Sequence, residues 1–307
     1  MLPFDKQTPV LFLVFKRPDT TALVFEEIRK AQPKRLYVAA DGPRNAEEQT
    51  KCNAVREIVS HITWECEVKT LFREKNLGCK YAVSGAIDWF FEQEPEGIIL
   101  EDDCLPSQSF FGFCSTLLEQ YRDDDRIGHI CGSNFQDGAT RGNGSYYFSQ
   151  LTHVWGWAGW RRVWKNYDVE MRSFANFKES DLESSSTHAI RKETWYKNFN
   201  DTYKGNINTW DFQYAYANLI NNYLSVMPNK NLIKNIGFGE DATHKFEIHH
   251  FFNLETTEMD KIEHPCFFIP DVNADLYTES IEHPLPVQKN IYSRTWKKIK
   301  NFIRGKK

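Results

Sequence analysis

An alternation of short apolar runs with amphipathic stretches through the N-terminal third constrains this chain more than any other feature. Val10-Leu11-Phe12-Leu13-Val14-Phe15 is apolar without a break, the pattern of a strand buried on both faces. A helical stretch over 20–31 follows, then a strand over 35–40 that stops at Asp41-Gly42. A helix over 46–60, a strand over 66–72, a helix over 81–92 and a strand over 97–100 repeat the unit. Strands separated by helices of this length must run parallel, because the crossover returns the chain to the starting edge. The expected fold class is therefore α/β, a mixed, mostly parallel sheet flanked by helices.

That topology has a chemical consequence. In an open parallel sheet, ligands bind beyond the carboxyl ends of the strands. Phe15-Lys16-Arg17, Asp41-Gly42 and Glu101-Asp102-Asp103 follow three successive strand ends, so they should face one crevice. The pattern loosens after residue 105. A helix over 109–121 and a strand over 128–132 lead into a Gly- and aromatic-rich region over 134–164. A polar stretch over 173–200 reads as helix and surface loop, 211–223 as a helix, and 253–286 as strand-like and proline-punctuated. Without repeats or a low-complexity linker, residues 1–287 are expected to form one domain, with a nucleotide-binding half over 1–105 and a second half over 106–287.

Bulk properties exclude several classes. A net charge of -4 over 307 residues gives no general basis for holding a phosphate backbone, so nucleic acid is not an expected partner. The seven cysteines contain no CxxC pair, which argues against both a zinc site and a disulfide framework and favours a reducing compartment. No signal-peptide pattern or membrane-spanning run is present, so the expected location is cytoplasmic.

A hydrophobic strand that delivers Glu101, Asp102 and Asp103 to a crevice is a natural seat for Mn²⁺ or Mg²⁺, which prefer hard oxygen ligands and retain positions for substrate phosphate. The plain alternative is an exposed acidic turn. The surrounding residues favour the first reading. From Arg73-Glu74-Lys75-Asn76-Leu77-Gly78, through the helix, to Glu101-Asp102-Asp103 and Phe110-Phe111, the chain resembles the N-acetylglucosaminyltransferase I family, inverting glycosyltransferases of the GT-A fold. Further matches fall in the right order: Arg17, Asp41, Ser133-Asn134-Phe135-Gln136-Asp137-Gly138, the Gly/Trp segment over 155–160, and Trp210-Asp211. Where that family has two acids in a row after the tryptophan, this chain has one.

The resemblance implies a role for each matching residue. Asp103 would be the direct metal ligand, with Glu101 and Asp102 contacting the donor's sugar and ribose or the metal's waters. Arg17 and Asp41 would hold the nucleotide beside Phe15, with an ordinary Asp-Gly turn as the alternative at Asp41. Gly156 and Gly159, set among Trp155, Trp157 and Trp160, suggest a backbone passing close to a sugar, with Trp157 and Trp210 offering faces to the acceptor; a core aromatic cluster is the competing reading. Asp211, at the start of a helix, is the candidate base for the acceptor hydroxyl, against a helix-capping role. His244, in the Gly-rich loop over 235–245, would reach the metal or the diphosphate.

The activity implied is transfer of a sugar from a UDP-sugar, UDP-GlcNAc by resemblance, to a hydroxyl of a glycan or lipid-linked acceptor in bacterial surface polysaccharide assembly. A nucleotidyltransferase is an alternative, though its Gly-rich phosphate loop is missing at Phe15-Lys16-Arg17-Pro18-Asp19; a non-catalytic carbohydrate-binding protein is another. The tail over 288–307 is basic, with Trp296, Ile299, Phe302 and Ile303 at helical spacing. Its segment 290–307 suits peripheral contact with an anionic membrane at the inner face, or a solvated terminal helix.

Overall fold

The apolar run at the N-terminus becomes β1 (Val10–Val14), fully buried, and its neighbours follow the expected alternation. The computed structural model describes residues 2–185, 187–237 and 254–282. After β1 come α1 (Pro18–Ala31), β2 (Arg35–Ala40), α2 (Ala46–Ser60), β3 (Glu67–Phe72), α3 (Gly78–Gln93) and β4 (Glu96–Glu101). Pro18 opens α1 at the one place where a missing amide costs no hydrogen bond, and the Asn45 side chain caps α2 by accepting from the Glu48 amide.

The remaining elements are β5 (Cys104–Pro106), α4 (Gln108–Gln120), β6 (Ile127–Cys131), β7 (Tyr146–Ser149), β8 (Trp157–Trp160), α5 (Arg161–Trp164), α6 (Lys192–Tyr203), α7 (Asp211–Ile220), β9 (Leu224–Pro228), β10 (Ile233–Asn235) and α8 (Val272–Glu282). Eight strands form one sheet in the order β3-β2-β1-β4-β8-β6-β9-β7. Strands β1, β2, β3 and β4 run parallel, β8 is inserted antiparallel between β4 and β6, and β9 runs parallel to β6. The carboxyl ends of β1, β2, β4 and β6 therefore share one edge. A separate two-stranded ribbon, β10 with β5, crosses above that edge.

Two hydrophobic clusters flank this sheet. The larger packs α1, α3 and α4 onto the central strands. The smaller joins Phe174, Trp195, Phe199 and Tyr216 from the second half to Tyr147 and Met227 on the outer strands. A single sheet runs through both halves, so neither buries its strands alone.

The second half departs from expectation in two places and refines it in a third. Residues 254–282 are not strand-like: α8 occupies the last eleven, started by Asp271, whose side chain accepts from the Ala274 amide, directly after Pro270. Pro270 there marks helix entry rather than strand punctuation. Residues 173–200 begin with three short 3₁₀ turns, Arg172–Asn176, Glu179–Ser184 and His188–Arg191, before α6. Helix α7 stops at Ile220 because Asn222 takes the left-handed conformation, φ 56°. Among the described residues, no helix is long and apolar enough to cross a membrane.

Candidate functional site

Strand β4 ends where its neighbours end. Leu13 of β1 stands beside Glu101, and the amide of Phe15, just past the end of β1, donates to Asp102 Oδ2 at 3.0 Å. Arg17 then reaches across, its Nη1 2.6 Å from Asp103 Oδ2 and 3.6 Å from Asp102 Oδ1. Burial, with the charges of Asp103, Asp102 and Asp211, pushes the Glu101 carboxyl well above the usual carboxylate range, and Arg17 pulls the other way. Asp102 is likewise pushed up by burial and by Asp103, opposed by Arg17 and the Phe15 amide. These are crowded like charges with one strong counter-cation, an arrangement that favours a further cation.

From above, the loop leaving β10 presses on Asp103. The Ile236 amide donates to the Asp103 carbonyl at 2.8 Å, and a Cβ placed on Gly237 would lie 2.2 Å from Asp103 Oδ2. Only glycine fits against that carboxylate. His244 and the tail over 290–307 lie outside the described residues.

Asp211 is brought to the same crevice, close enough for its charge to act on Glu101. As the first residue of α7, it accepts at Oδ1 from the Thr209 hydroxyl and, at 2.8 Å, from the Phe212 amide. The geometry thus serves the helix terminus as well as the site. Cys79, which sequence reasoning passed over, sits between these acids: burial, then Glu101, Asp211, Asp103 and Asp41, push its thiol up to about 12. Its only sequence signal is its place at the start of α3, immediately after Asn76-Leu77-Gly78.

Asp41 reaches the edge but is fully engaged by its own chain. Its carboxylate accepts from the amides of Gly42, Leu77 and Gly78 and from the Asn76 side chain. It thereby caps α3, while Gly42 lies so close to the Lys75 backbone that a Cβ would meet it at 2.4 Å. The turn reading accounts for this residue in full. Phe15 is half-buried, its ring flanked by Lys16 Nζ at 5.6 Å and the Arg44 guanidinium at 5.8 Å, with the Glu48 carboxylate holding both cations.

The Gly/Trp segment is corrected by its packing. Trp157 and Trp210 are 1% and 2% exposed, stacked at 6.1 Å and enclosed by Trp164 and Tyr214, so neither face is open to an acceptor. Gly159 pairs with Gly97 inside the sheet, toward the edge away from Glu101. Gly156 is held at φ 60°, and a Cβ there would meet Ile233 Cδ1 at 2.5 Å. Both glycines serve strand packing rather than a sugar path.

The fold is thus an open, Rossmann-like α/β sheet whose carboxyl edge gathers Glu101, Asp102, Asp103, Arg17 and Asp211. No protein-family model matches the sequence, and no curated protein matches it. Among solved structures, HddC from Yersinia pseudotuberculosis is similar at 10% identity over 52% of this chain and 80% of that chain, with a TM-score of 0.32. An active-site mutant of LgtC is similar at 11% identity over 55% and 64%, with a TM-score of 0.31. UDP-glucose pyrophosphorylase in complex with UDP-glucose is similar at 10% identity over 48% and 64%, with a TM-score of 0.26.

Proposed function

We propose that this chain is a glycosyltransferase that takes a sugar from a UDP-sugar, UDP-GlcNAc being the first donor to test, and passes it to a hydroxyl of a glycan or lipid-linked acceptor. The observation that supports this reading is the convergence of Arg17, Glu101-Asp102-Asp103 and Asp211 on one crevice at the carboxyl edge of the sheet.

The donor set suits Mn²⁺ or Mg²⁺: hard carboxylate oxygens, crowded and under-compensated. Among the described residues no group of three or more His, Cys, Asp or Glu is arranged to hold an ion. The fit is therefore to an ion anchored by Asp103, with substrate phosphate and water completing its shell, rather than to a protein cage. Bound there, the ion would supply neutralisation of the charge that develops on the departing diphosphate.

The chain's own residues do the rest. Arg17, fixed at the entrance to α1 beside the acids, is placed to bind a phosphate oxygen through its planar fork. Glu101 and Asp102 line the floor, where ribose and sugar hydroxyls would find acceptors. Asp211 keeps Oδ2 clear of the two bonds made by Oδ1, and that oxygen takes the acceptor's proton as its hydroxyl attacks the anomeric carbon from the face opposite the diphosphate.

A thermal-shift panel of nucleotide sugars, with and without Mn²⁺, tests this directly, because stabilisation by a ligand follows its affinity. Metal-dependent stabilisation by one UDP-sugar, lost in Asp103→Asn, is expected. A panel in which no nucleotide sugar raises the melting temperature would remove the proposal.

A further inference from the structure

At the opposite edge of the sheet, where β4 begins and β8 ends, lies a concavity of about 420 Å³ lined by Pro95, Arg122, Trp160, Arg161, Arg162 and Lys165. Glu96 pairs with Trp160 there, and the Arg161 amide donates to the Pro95 carbonyl at 2.8 Å. Five residues of β4 separate this place from Glu101, roughly 16 Å at the usual rise of a strand. It is therefore distinct from the acidic crevice.

Four of the six lining residues are cations, and none is an acid. Among the described residues, Arg122 alone of the four is answered by carboxylates, Glu96 at 2.8 Å and Glu119 at 2.6 Å. Arg162 is held by carbonyls instead: its Nε donates to Arg122 at 2.8 Å and its Nη2 to Tyr121 and Ile127, each at 2.9 Å. The Trp160 ring lies 4.5 Å beneath its guanidinium. Carbonyls and an indole fix a guanidinium in place without cancelling its charge. Burial pulls Arg162 below its ordinary value, only partly offset by Asp125, Tyr223, Asp124 and Asp123. Arg161 spends its Nε on the Glu94 carbonyl at 3.2 Å, and neither it nor Lys165 forms an ion pair among the described residues.

We infer that this concavity is a second binding site, for a phosphoryl group, in which Arg162 is the preset donor and Arg161 and Lys165 are exposed cations beside it. An oxyanion there would regain the electrostatic stabilisation that burial denies Arg162, and several cations around one concavity suit a multiply charged phosphate better than a single carboxylate. The concavity is open to solvent, so the phosphoryl group it would take is one presented at the surface, by a small phosphorylated molecule or by a lipid headgroup.

Two arms separate these sources. Inorganic pyrophosphate is titrated calorimetrically, and vesicles of phosphatidylglycerol are compared with vesicles of phosphatidylcholine alone. Each is run on the wild type, on Asp103→Asn, and on the exposed pair Arg161→Glu with Lys165→Glu, whose melting temperature is checked first. Binding in either arm that survives Asp103→Asn and falls at least tenfold in the charge-reversed pair is expected; the arm that binds names the source. Absence of binding in both arms, or binding that the charge-reversed pair leaves unchanged, overturns the inference. Loss of binding in Asp103→Asn also overturns it, since the phosphate would then belong to the acidic crevice.

Discussion

Arg17 Nη1 lies 2.6 Å from Asp103 Oδ2, so the cation that follows the first strand stands against the carboxylate that follows the fourth. Replacing Arg17 with Met removes both the counter-charge and the phosphate donor proposed above. Calorimetric titration of UDP in the presence of Mn²⁺ should show affinity falling at least about tenfold, the scale of a charge-assisted contact. An unchanged affinity would mean that Arg17 serves only the carboxylates.

Asp211→Asn keeps the volume and an acceptor oxygen for Thr209 but removes the proposed base. Turnover should fall on the order of a hundredfold to ten-thousandfold, while the dissociation constant of the donor stays within about twofold. Parallel losses of turnover and donor binding would instead point to the helix-terminal role that Phe212 and Thr209 already document.

Gly156→Ala should unfold at lower urea concentration. The added methyl meets Ile233 Cδ1 at 2.5 Å, and the φ of 60° disfavours any L side chain, so a loss of roughly 2–4 kcal/mol is expected. Equilibrium unfolding followed by tryptophan fluorescence measures it. A loss below about 0.5 kcal/mol would contradict the backbone placement on which the packing of β8 under β10 depends.

Helix α8 predicts a pH dependence. Glu279 is fully buried against Trp195, whose indole N–H donates to it, and burial raises its carboxyl to about 7. In the unfolded chain the same group titrates near 4.3. The folded state therefore holds a proton that the unfolded state has released between these values. Its contribution to stability is complete below about pH 4 and is lost as pH rises through about 7. Glu279→Gln should raise the melting temperature above that of the wild type by a few degrees at pH 8 and leave it unchanged at pH 4. A variant equal to the wild type at pH 8 would show the carboxyl to be ionised without cost.

What could be read in advance was what depends on near neighbours in the chain. The uninterrupted run at Val10, the helical stretches over 20–31 and 46–60, and the abrupt change from Ile98-Ile99-Leu100 to Glu101-Asp102-Asp103 each specify a local conformation. The right-handed, parallel connection rule turns those conformations into a shared edge. The placing of Arg17 beside Asp103 follows from that rule, because both residues come just after the ends of adjacent parallel strands. The helix at 272–282 was hidden because its single strong signal, Asp271 after Pro270, stood in a stretch whose prolines resembled strand punctuation.

Which side chains remain open to a ligand was decided by contacts between residues far apart in sequence. Asp41 could be a turn or a nucleotide contact until α3 came to rest on it and the amides of Leu77 and Gly78 took its oxygens. Trp157 and Trp210 could have been a sugar platform until the antiparallel insertion of β8 and the docking of α7 closed them against each other. Cys79 entered the crevice only because α3 begins at the strand edge. The sequence by itself determined the order of elements and the chemistry at each strand end, because periodicity and capping are local. Tertiary structure alone decided which polar and aromatic groups were already satisfied, because burial and partner geometry exist only once distant segments pack.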